Sequence, residues 1–156
     1  MGITVVSQNR RKKDDDHPIA AAFWDFSAGR DNLNEAERLQ QIRTGFTADL
    51  AQAVKAAFVL PEGSLERLLN ASTSTLERRR REHKNLDPVA SERLDRIATV
   101  CQLAEEVFES RQEAANWMSR PNGALGGQVP VMLCETEIGA RQVRRVLNAL
   151  DWGGAA

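Results

Sequence analysis

The chain has 156 residues, of which 42% are hydrophobic, and its formal net charge at pH 7 is −1. This length and apolar content suffice for one or two small domains with a buried core. The near-zero charge excludes a global field that attracts nucleic acid or membranes, so such binding must come from a local patch. Cys101 and Cys134 lie among apolar neighbours without the spacing of metal ligands, which predicts buried, reduced thiols and a cytoplasmic protein.

Membrane and enzyme classes are disfavoured by what the sequence lacks. No apolar run approaches the ~20 residues that span a bilayer, and the first thirty residues do not have the pattern of a signal peptide. His17 and His83 have no acidic or nucleophilic partner at a recognisable spacing, and no phosphate loop or metal cluster is present. We therefore expect no catalytic activity, no metal, no cofactor and no membrane partner.

Residues 1–32 have the least regular pattern. A short β-prone run, Ile3–Val6, precedes four basic and then three acidic residues. A basic arm on DNA is one interpretation of these charges, but their near cancellation favours a solvated tail. Phe23, Trp24 and Phe26 form an aromatic cluster that needs cover, either from the body of the protein or from a second copy.

Regular helical patterns begin after residue 33. Apolar residues at three- and four-residue spacing predict a helix that ends at Gly45 and a second one that is capped by Thr47 and stops before Pro61. A short third helix is predicted to start with Ser64 as its N-cap and to end at Asn70.

The fourth helix is rich in Ser and Thr at its start and in Arg along its length. Ser74 and Glu77 have the spacing of a capping box. Two short helices of this kind have the outline of a helix-turn-helix, in which the second helix offers its N-terminal residues to base edges. The candidate DNA-binding residues are Ser72, Thr73, Ser74, Thr75, Arg78, Arg79, Arg80, Arg81 and Lys84. The alternative is a solvated, charged surface helix.

Helical geometry sorts these side chains. With 100° per residue and Leu76 pointing inwards, Ser74, Arg78 and Arg81 fall on the exposed face. The other two arginines fall nearer the inner side, so their stems would pack on the body while their heads reach phosphates.

The following helix has the longest apolar stripe. Asp87 is its predicted N-cap, and the stripe from Leu94 to Phe108 indicates a core helix or a dimer seam. The other face is acidic and includes Asp95, so we expect it to point away from DNA. Ser110 is predicted to cap the next helix.

Residues 117–139 hold several Gly and Pro residues among apolar ones, a pattern of a shaped loop rather than a polar linker. Such a loop is either a packed connection between helices or a surface for a partner. Thr136 is the predicted N-cap of a last helix that exposes Arg141 and Arg145. Gly139 lies on its packed face, where it lets another backbone approach.

Five motifs occur in this order: S-T-L-E-R-R-R, L-D-P-x-x-S-E-R-L, W-M-S-R-P-N-x-A-L-G-G-x-x-P, E-T-E-I-G-A-x-x-V and W-G. Over roughly residues 45–153 this order resembles that of the Xre-type antitoxins of RES–Xre toxin–antitoxin pairs. The third motif followed by the fourth is the most specific part of the resemblance, because a helix-turn-helix alone is common.

The resemblance implies an all-α dimer that binds DNA and a toxin. The implied partners are operator DNA, a second copy of the chain and a RES-domain toxin that depletes NAD, whose active site the antitoxin blocks. Together, toxin and antitoxin repress their own operon. The expected parts are an N-terminal segment (1–32), a helix-turn-helix domain (33–86) and a helical dimerisation and toxin-binding domain (87–156).

The family's toxin-binding pattern maps onto the shaped loop and the last helix. The matching residues are Trp117, Pro121, Asn122, Leu125, Gly126, Gly127, Pro130, Thr136, Gly139 and Val143. Within this set we expect Trp117 and Pro130 to be structural. Asn122 and Leu125, together with the exposed Arg141 and Arg145, are expected nearer the contact, and the tail after Leu150 is a further candidate.

Two other functions fit the sequence. One is a dimeric helix-turn-helix transcriptional regulator without a toxin partner, whose C-terminal half only dimerises. The other is an adapter that does not bind DNA and whose arginine helix is simply solvated. Salt dependence of DNA affinity separates the adapter from the two DNA-binding functions.

Overall fold

The computed structural model describes residues 18–153, which form nine α-helices and two single turns of 3-10 helix. No β-strand occurs in this range, so the predicted all-α class is confirmed. The 3-10 turns are Arg30–Asn32 and Gly123–Leu125. The α-helices are α1 (18–28), α2 (Glu35–Thr44), α3 (Asp49–Phe58), α4 (Ser64–Leu69), α5 (Thr73–Arg81), α6 (Pro88–Phe108), α7 (Arg111–Met118), α8 (Pro130–Leu133) and α9 (Glu137–Asp151).

Helix α6 is the centre of the fold. It packs against α2 and α4 on the N-terminal side and against α7 and α9 on the C-terminal side. Its stripe of Leu94, Ile97, Ala98, Cys101 and Ala104 is fully buried within the chain. The apolar stripe therefore belongs to the core of a single copy, because other elements of the same chain already cover it.

Arginines of α6 also hold elements from both halves of the chain. Arg93 donates through Nη1 to the carbonyl oxygen of Arg67 in α4, at 3.1 Å. Arg96 donates through Nη1 to the carbonyl oxygen of Cys134 after α8, also at 3.1 Å. Helix α6 thus holds α4 and the segment between α8 and α9 in place.

Asp95 is buried, contrary to the prediction that it lies on an outward acidic face of α6. Its carboxylate pairs with Arg30 at 3.3 Å and with Arg38 at 2.6 Å. The Arg30 guanidinium also lies over the ring of Phe26, 4.5 Å from its centroid. Burial lowers the pKa of Arg30, whereas the hydrogen bond that Arg38 donates to Asp95 raises the pKa of Arg38. Helical periodicity missed this cluster because the two arginines lie 65 and 57 residues away in sequence.

The aromatic cluster of α1 docks on the body of the protein. Phe23 and Trp24 are buried and meet Phe58 of α3 edge-on, with ring centroids 5.4 and 5.9 Å apart. Ser27 anchors the same helix by donating its hydroxyl to the carbonyl oxygen of Ala98, at 2.8 Å. The β-prone run and the charged run of the sequence lie outside the described residues.

Three of the predicted N-caps are confirmed. The side chains of Asp87, Ser110 and Thr136 each accept a hydrogen bond from the backbone N–H three residues later. The predicted caps Thr47 and Ser64 are wrong. The N-cap position of α3 is occupied by Ala48. The N-cap position of α4 is occupied by Gly63, in the left-handed conformation with φ 84°, so Ser64 is already the first helical residue.

Among residues 18–153, no helix is long and apolar enough to cross a bilayer. The same residues contain no cluster of three metal-ligating side chains. Cys101 and Cys134 are both buried free thiols. Burial raises the pKa of Cys134 to about 12 and raises that of Cys101 as well.

Candidate functional site

Helices α4 and α5 form the two arms of the helix-turn-helix. The buried side of α4 is formed by Leu65, Leu68 and Leu69, and the buried side of α5 by Leu76. Asn70, in the left-handed conformation with φ 52°, makes the turn between the arms.

The N-cap of α5 lies two residues before the predicted position. Ser72 has an extended backbone and accepts a hydrogen bond from the N–H of Thr75 at 3.1 Å, so the capping box of Ser74 and Glu77 is wrong. The Glu77 carboxylate is used elsewhere, because it accepts a hydrogen bond from Gln52 of α3 at 2.8 Å. Ser74 is left exposed on the outer face, as expected.

The four arginines of α5 have different environments. Arg78 and Arg81 are exposed, as expected, and make no side-chain hydrogen bond or ion pair with another residue between 18 and 153. Arg79 is half-buried and donates through Nη1 to the carbonyl oxygen of Asn85 at 2.9 Å. Arg80 is exposed rather than packed on the body, and pairs with Glu77.

Glu66, which the sequence pattern did not indicate, anchors the start of α5. The backbone N–H and the hydroxyl of Thr73 both donate to Oε1 of Glu66, each at 2.6 Å. These two hydrogen bonds lower the pKa of Glu66. Both donors of Thr73 are thereby directed at the protein. The one signal in the sequence was the acidic character of Glu66 in α4. A negative charge is favourable at the N-terminus of a helix, but the turn between α4 and α5 is needed to bring Glu66 to the N-terminus of α5.

Lys84 lies beyond the end of α5 and is exposed. Its ammonium group pairs with Glu82 at 3.1 Å, and this contact lowers the pKa of Glu82. The local positive charge of the helix-turn-helix is therefore concentrated on the unpaired arginines.

Asn122 organises the shaped loop. Its Oδ1 accepts a hydrogen bond from the N–H of Ala124 at 2.9 Å, and its carbonyl oxygen accepts from the N–H groups of Leu125 and Gly127 at 3.0 and 2.8 Å. The N–H of Asn122 donates to the carbonyl oxygen of Gln128 at 3.0 Å. The side-chain oxygen and backbone of Asn122 thus shape the loop, and its place near the toxin contact stays a prediction.

Several other residues of the predicted toxin-binding set lie in or against the core of the chain. Pro130, Gly139 and Val143 are buried. Trp117 is half-buried and packs on the ring of Phe108, with centroids 5.8 Å apart. Thr136 caps α9 through its hydroxyl oxygen, as noted above. The buried members of this set hold the loop and α9 in place instead of facing a partner.

The outward face of α9 is exposed, in contrast to the buried residues just described. It carries Arg141 and Arg145, both exposed and without an ion pair to any residue that the structure describes. Ile138 and Trp152 are near its two ends, with 70% and 89% of their surfaces exposed. Helical spacing places all four on one stripe. We call this set the α9 stripe.

A groove runs between the α9 stripe and the shaped loop, with a volume of about 600 Å³. Leu125 lines it from the loop, and Arg145 and Val146 line it from the helix. Gly126 and Gly127 turn the loop around its edge with φ of 65° and 80°. Pro121 and both glycines are exposed to solvent, so a partner could reach them.

Comparison with known proteins matches both halves of this architecture. Residues 37–98 match the model of the antitoxin Xre-like helix-turn-helix domain, and residues 103–153 match that of the antitoxin Xre/MbcA/ParS C-terminal toxin-binding domain. A protein of Yersinia enterocolitica named Antitoxin Xre is 30% identical over 116 residues, which cover 74% of this chain and 78% of that protein. The chain belongs to the Xre antitoxin family.

A second Xre antitoxin, from Pseudomonas putida, is 33% identical over 79 residues, covering 51% of this chain and 50% of that protein. The resemblance found in the motifs is thus confirmed. As a member of the Xre family, this antitoxin is a non-enzymatic regulator with a helix-turn-helix domain and a toxin-binding domain. The helix-turn-helix match contains α5, and the toxin-binding match contains the shaped loop and the α9 stripe.

Proposed function

We propose that this Xre antitoxin acts in the cytoplasm by binding and blocking the active site of a RES-domain toxin that depletes NAD. We also propose that it acts as a homodimer and represses its own operon through α4 and α5. The observation that carries the first proposal is the α9 stripe, which lies within the part that matches the toxin-binding model.

The composition of the α9 stripe supports a protein partner. Trp and Arg are the residues most enriched among the energetic anchors of protein interfaces. A tryptophan residue with 89% of its surface exposed leaves apolar area in water that a partner would cover. Two unpaired guanidinium groups beside it fit a partner surface that bears carboxylates. The adjacent groove, lined in part by Leu125 and Val146, is wide enough for apolar side chains of the toxin.

The arrangement of α5 supports the DNA-binding part of the proposal. Its exposed face carries a hydroxyl and two unpaired guanidinium groups but no large apolar side chain, which suits phosphates and base edges rather than a protein. Affinity for duplex DNA should therefore fall steeply as the salt concentration rises. Affinity that hardly changes with salt would favour the solvated adapter.

The deciding experiment measures cellular NAD and growth in cells that express a RES-domain toxin together with the full-length chain. Wild type should preserve both. The double variant Arg141→Glu, Arg145→Glu should lose this protection, because its charges repel the carboxylates that the arginines would meet. Arg78→Ala, at an exposed arginine of α5, is the control outside the α9 stripe and should still protect.

The alternative function predicts a different result. If the chain is a dimeric regulator without a toxin partner, wild-type protein binds DNA but does not preserve NAD. If Arg78→Ala also fails to protect, the proposed division into a DNA-binding half and a toxin-binding half is wrong.

A further inference from the structure

The arginines of α5 are divided by their contacts into two kinds. Arg79 donates a hydrogen bond to the carbonyl oxygen of Asn85 at 2.9 Å, and Arg80 donates one to the carboxylate of Glu77 at 3.0 Å. Arg78 and Arg81 make no such contact with any residue of the described range. Only the second kind offers its whole guanidinium group to a ligand.

The Glu77 carboxylate, the acidic group of α5 itself, is engaged by two other side chains. Gln52 of α3 donates to Oε1 at 2.8 Å, and Arg80 donates to Oε2 at 3.0 Å. Both oxygens are thereby held to one side of α5. The acidic residue at i+4 spacing from Arg78 is Glu82, which pairs with Lys84 instead, although Arg78 lies near enough to help lower the pKa of Glu82.

Position along the helix separates Arg78 from Arg81. A recognition helix presents its N-terminal part to the bases and its C-terminal end to the edge of the groove. Thr73, the first residue, has both donors on Glu66, so it has no N–H or O–H left for a base. Ser74 and Arg78 are one turn apart and within about 40° on the outer face. Arg81 is the last residue of α5.

We infer that Arg78 reads a guanine base in the major groove and that Arg81 contacts a phosphate. The fork of donors on an arginine matches the O6 and N7 acceptors of guanine, which no other base pair presents together. The same group at the C-terminal end of the helix meets the backbone, where it adds affinity without sequence preference. This inference rests on the proposed DNA-binding function.

The test is a selection of duplex DNA, randomised over about three helical turns, by the full-length protein. Wild type, Arg78→Ala and Arg81→Ala are compared, and thermal melting checks that each exposed substitution leaves the fold intact. Wild type should enrich a guanine at a fixed position. Arg78→Ala should lose this preference while it keeps the others, and should bind the best wild-type sequence about 5- to 150-fold more weakly.

Arg81→Ala serves as the matched control. It should keep the guanine preference, weaken binding to all sequences alike, and lower the slope of log affinity against log salt by about 0.9. The inference is overturned if Arg78→Ala retains every base preference or if the guanine preference disappears with Arg81→Ala instead. Wild type that selects no sequence and shows no salt dependence would overturn the DNA-binding proposal itself, and the inference with it.

Discussion

The α-carbon of Gly139 lies so close to Leu133 that a β-carbon at this position would be 1.9 Å from the Leu133 carbonyl oxygen. The N–H of Gly139 also donates to the hydroxyl oxygen of Thr136 at 3.0 Å. The close approach thus joins the end of α8 to the first turn of α9. It sets where the α9 stripe starts relative to the shaped loop.

Gly139→Ala should therefore destabilise the fold. The better helix propensity of alanine, worth about 1 kcal/mol, cannot offset a contact that forces two backbones apart. We expect a net loss of about 2 kcal/mol in the free energy of unfolding, measured by chemical denaturation. Gly123→Ala is the control, because no heavy atom beyond its own residue and its two chain neighbours lies within 4 Å of its β-carbon position, and its effect should be under about 0.5 kcal/mol. Equal effects of the two substitutions would mean that α9 shifts freely.

Asp95→Ala should be among the most damaging substitutions outside the apolar core. It leaves the guanidinium of Arg30, whose side chain is 5% exposed, buried without its countercharge. Removing one partner of such a pair costs about 3–5 kcal/mol, which denaturant titration can measure. Lys84→Ala breaks the exposed pair with Glu82, which solvent screens, and should leave the unfolding midpoint almost unchanged. A small effect at Asp95 would contradict the buried geometry of the cluster.

Val59→Asn should stabilise the protein. Val59 ends α3 in the left-handed conformation with φ 49°, which a β-branched residue rarely adopts, and its side chain is 86% exposed. Asn tolerates this conformation, so we expect a gain of about 0.5–1 kcal/mol and a higher Tm. Val89→Asn, at a half-exposed valine in the first turn of α6, should give no gain. A lower Tm for Val59→Asn would show that the exposed valine makes a stabilising contact.

The buried thiols should make stability fall at high pH. In the folded state, burial holds the pKa of Cys134 at about 12 and raises that of Cys101, whereas a thiol exposed to water has a pKa of 9.0. Their contribution is fully present below pH 9 and is lost as pH rises further, because only the unfolded chain then releases the thiol protons. The slope should approach about 1.4 kcal/mol per pH unit for each thiol.

The measurement is denaturant unfolding between pH 8 and pH 11. The chain contains no Tyr, whose titration would overlap this range. Substituting both cysteines with alanine should remove the thiol part of the pH dependence. A thiol reagent at pH 8 should label neither cysteine in the native protein and both in denaturant; rapid native labelling would contradict their burial.

Much of the local structure was encoded in short stretches of sequence. The apolar stripe of α6, the caps at Asp87, Ser110 and Thr136 and the exposed positions of Ser74, Arg78 and Arg81 all follow from helical periodicity and backbone hydrogen bonding. These are interactions between residues a few positions apart. The ordered motifs likewise sufficed to place the chain in the Xre antitoxin family.

What only the tertiary structure decided depends on residues far apart in sequence. The pairing of Asp95 with Arg30 and Arg38 and the hydrogen bonds of Glu66 and Glu77 across the helix-turn-helix have no local pattern. These contacts determine which charges are used inside the chain and which face outward. The exposed positions of Arg78 and Arg145 were predicted from helical spacing, but the ion pair of Arg80 and the loop hydrogen bonds of Asn122 became visible only in three dimensions. The packing of helices, rather than the neighbours in sequence, decides which partners a side chain meets.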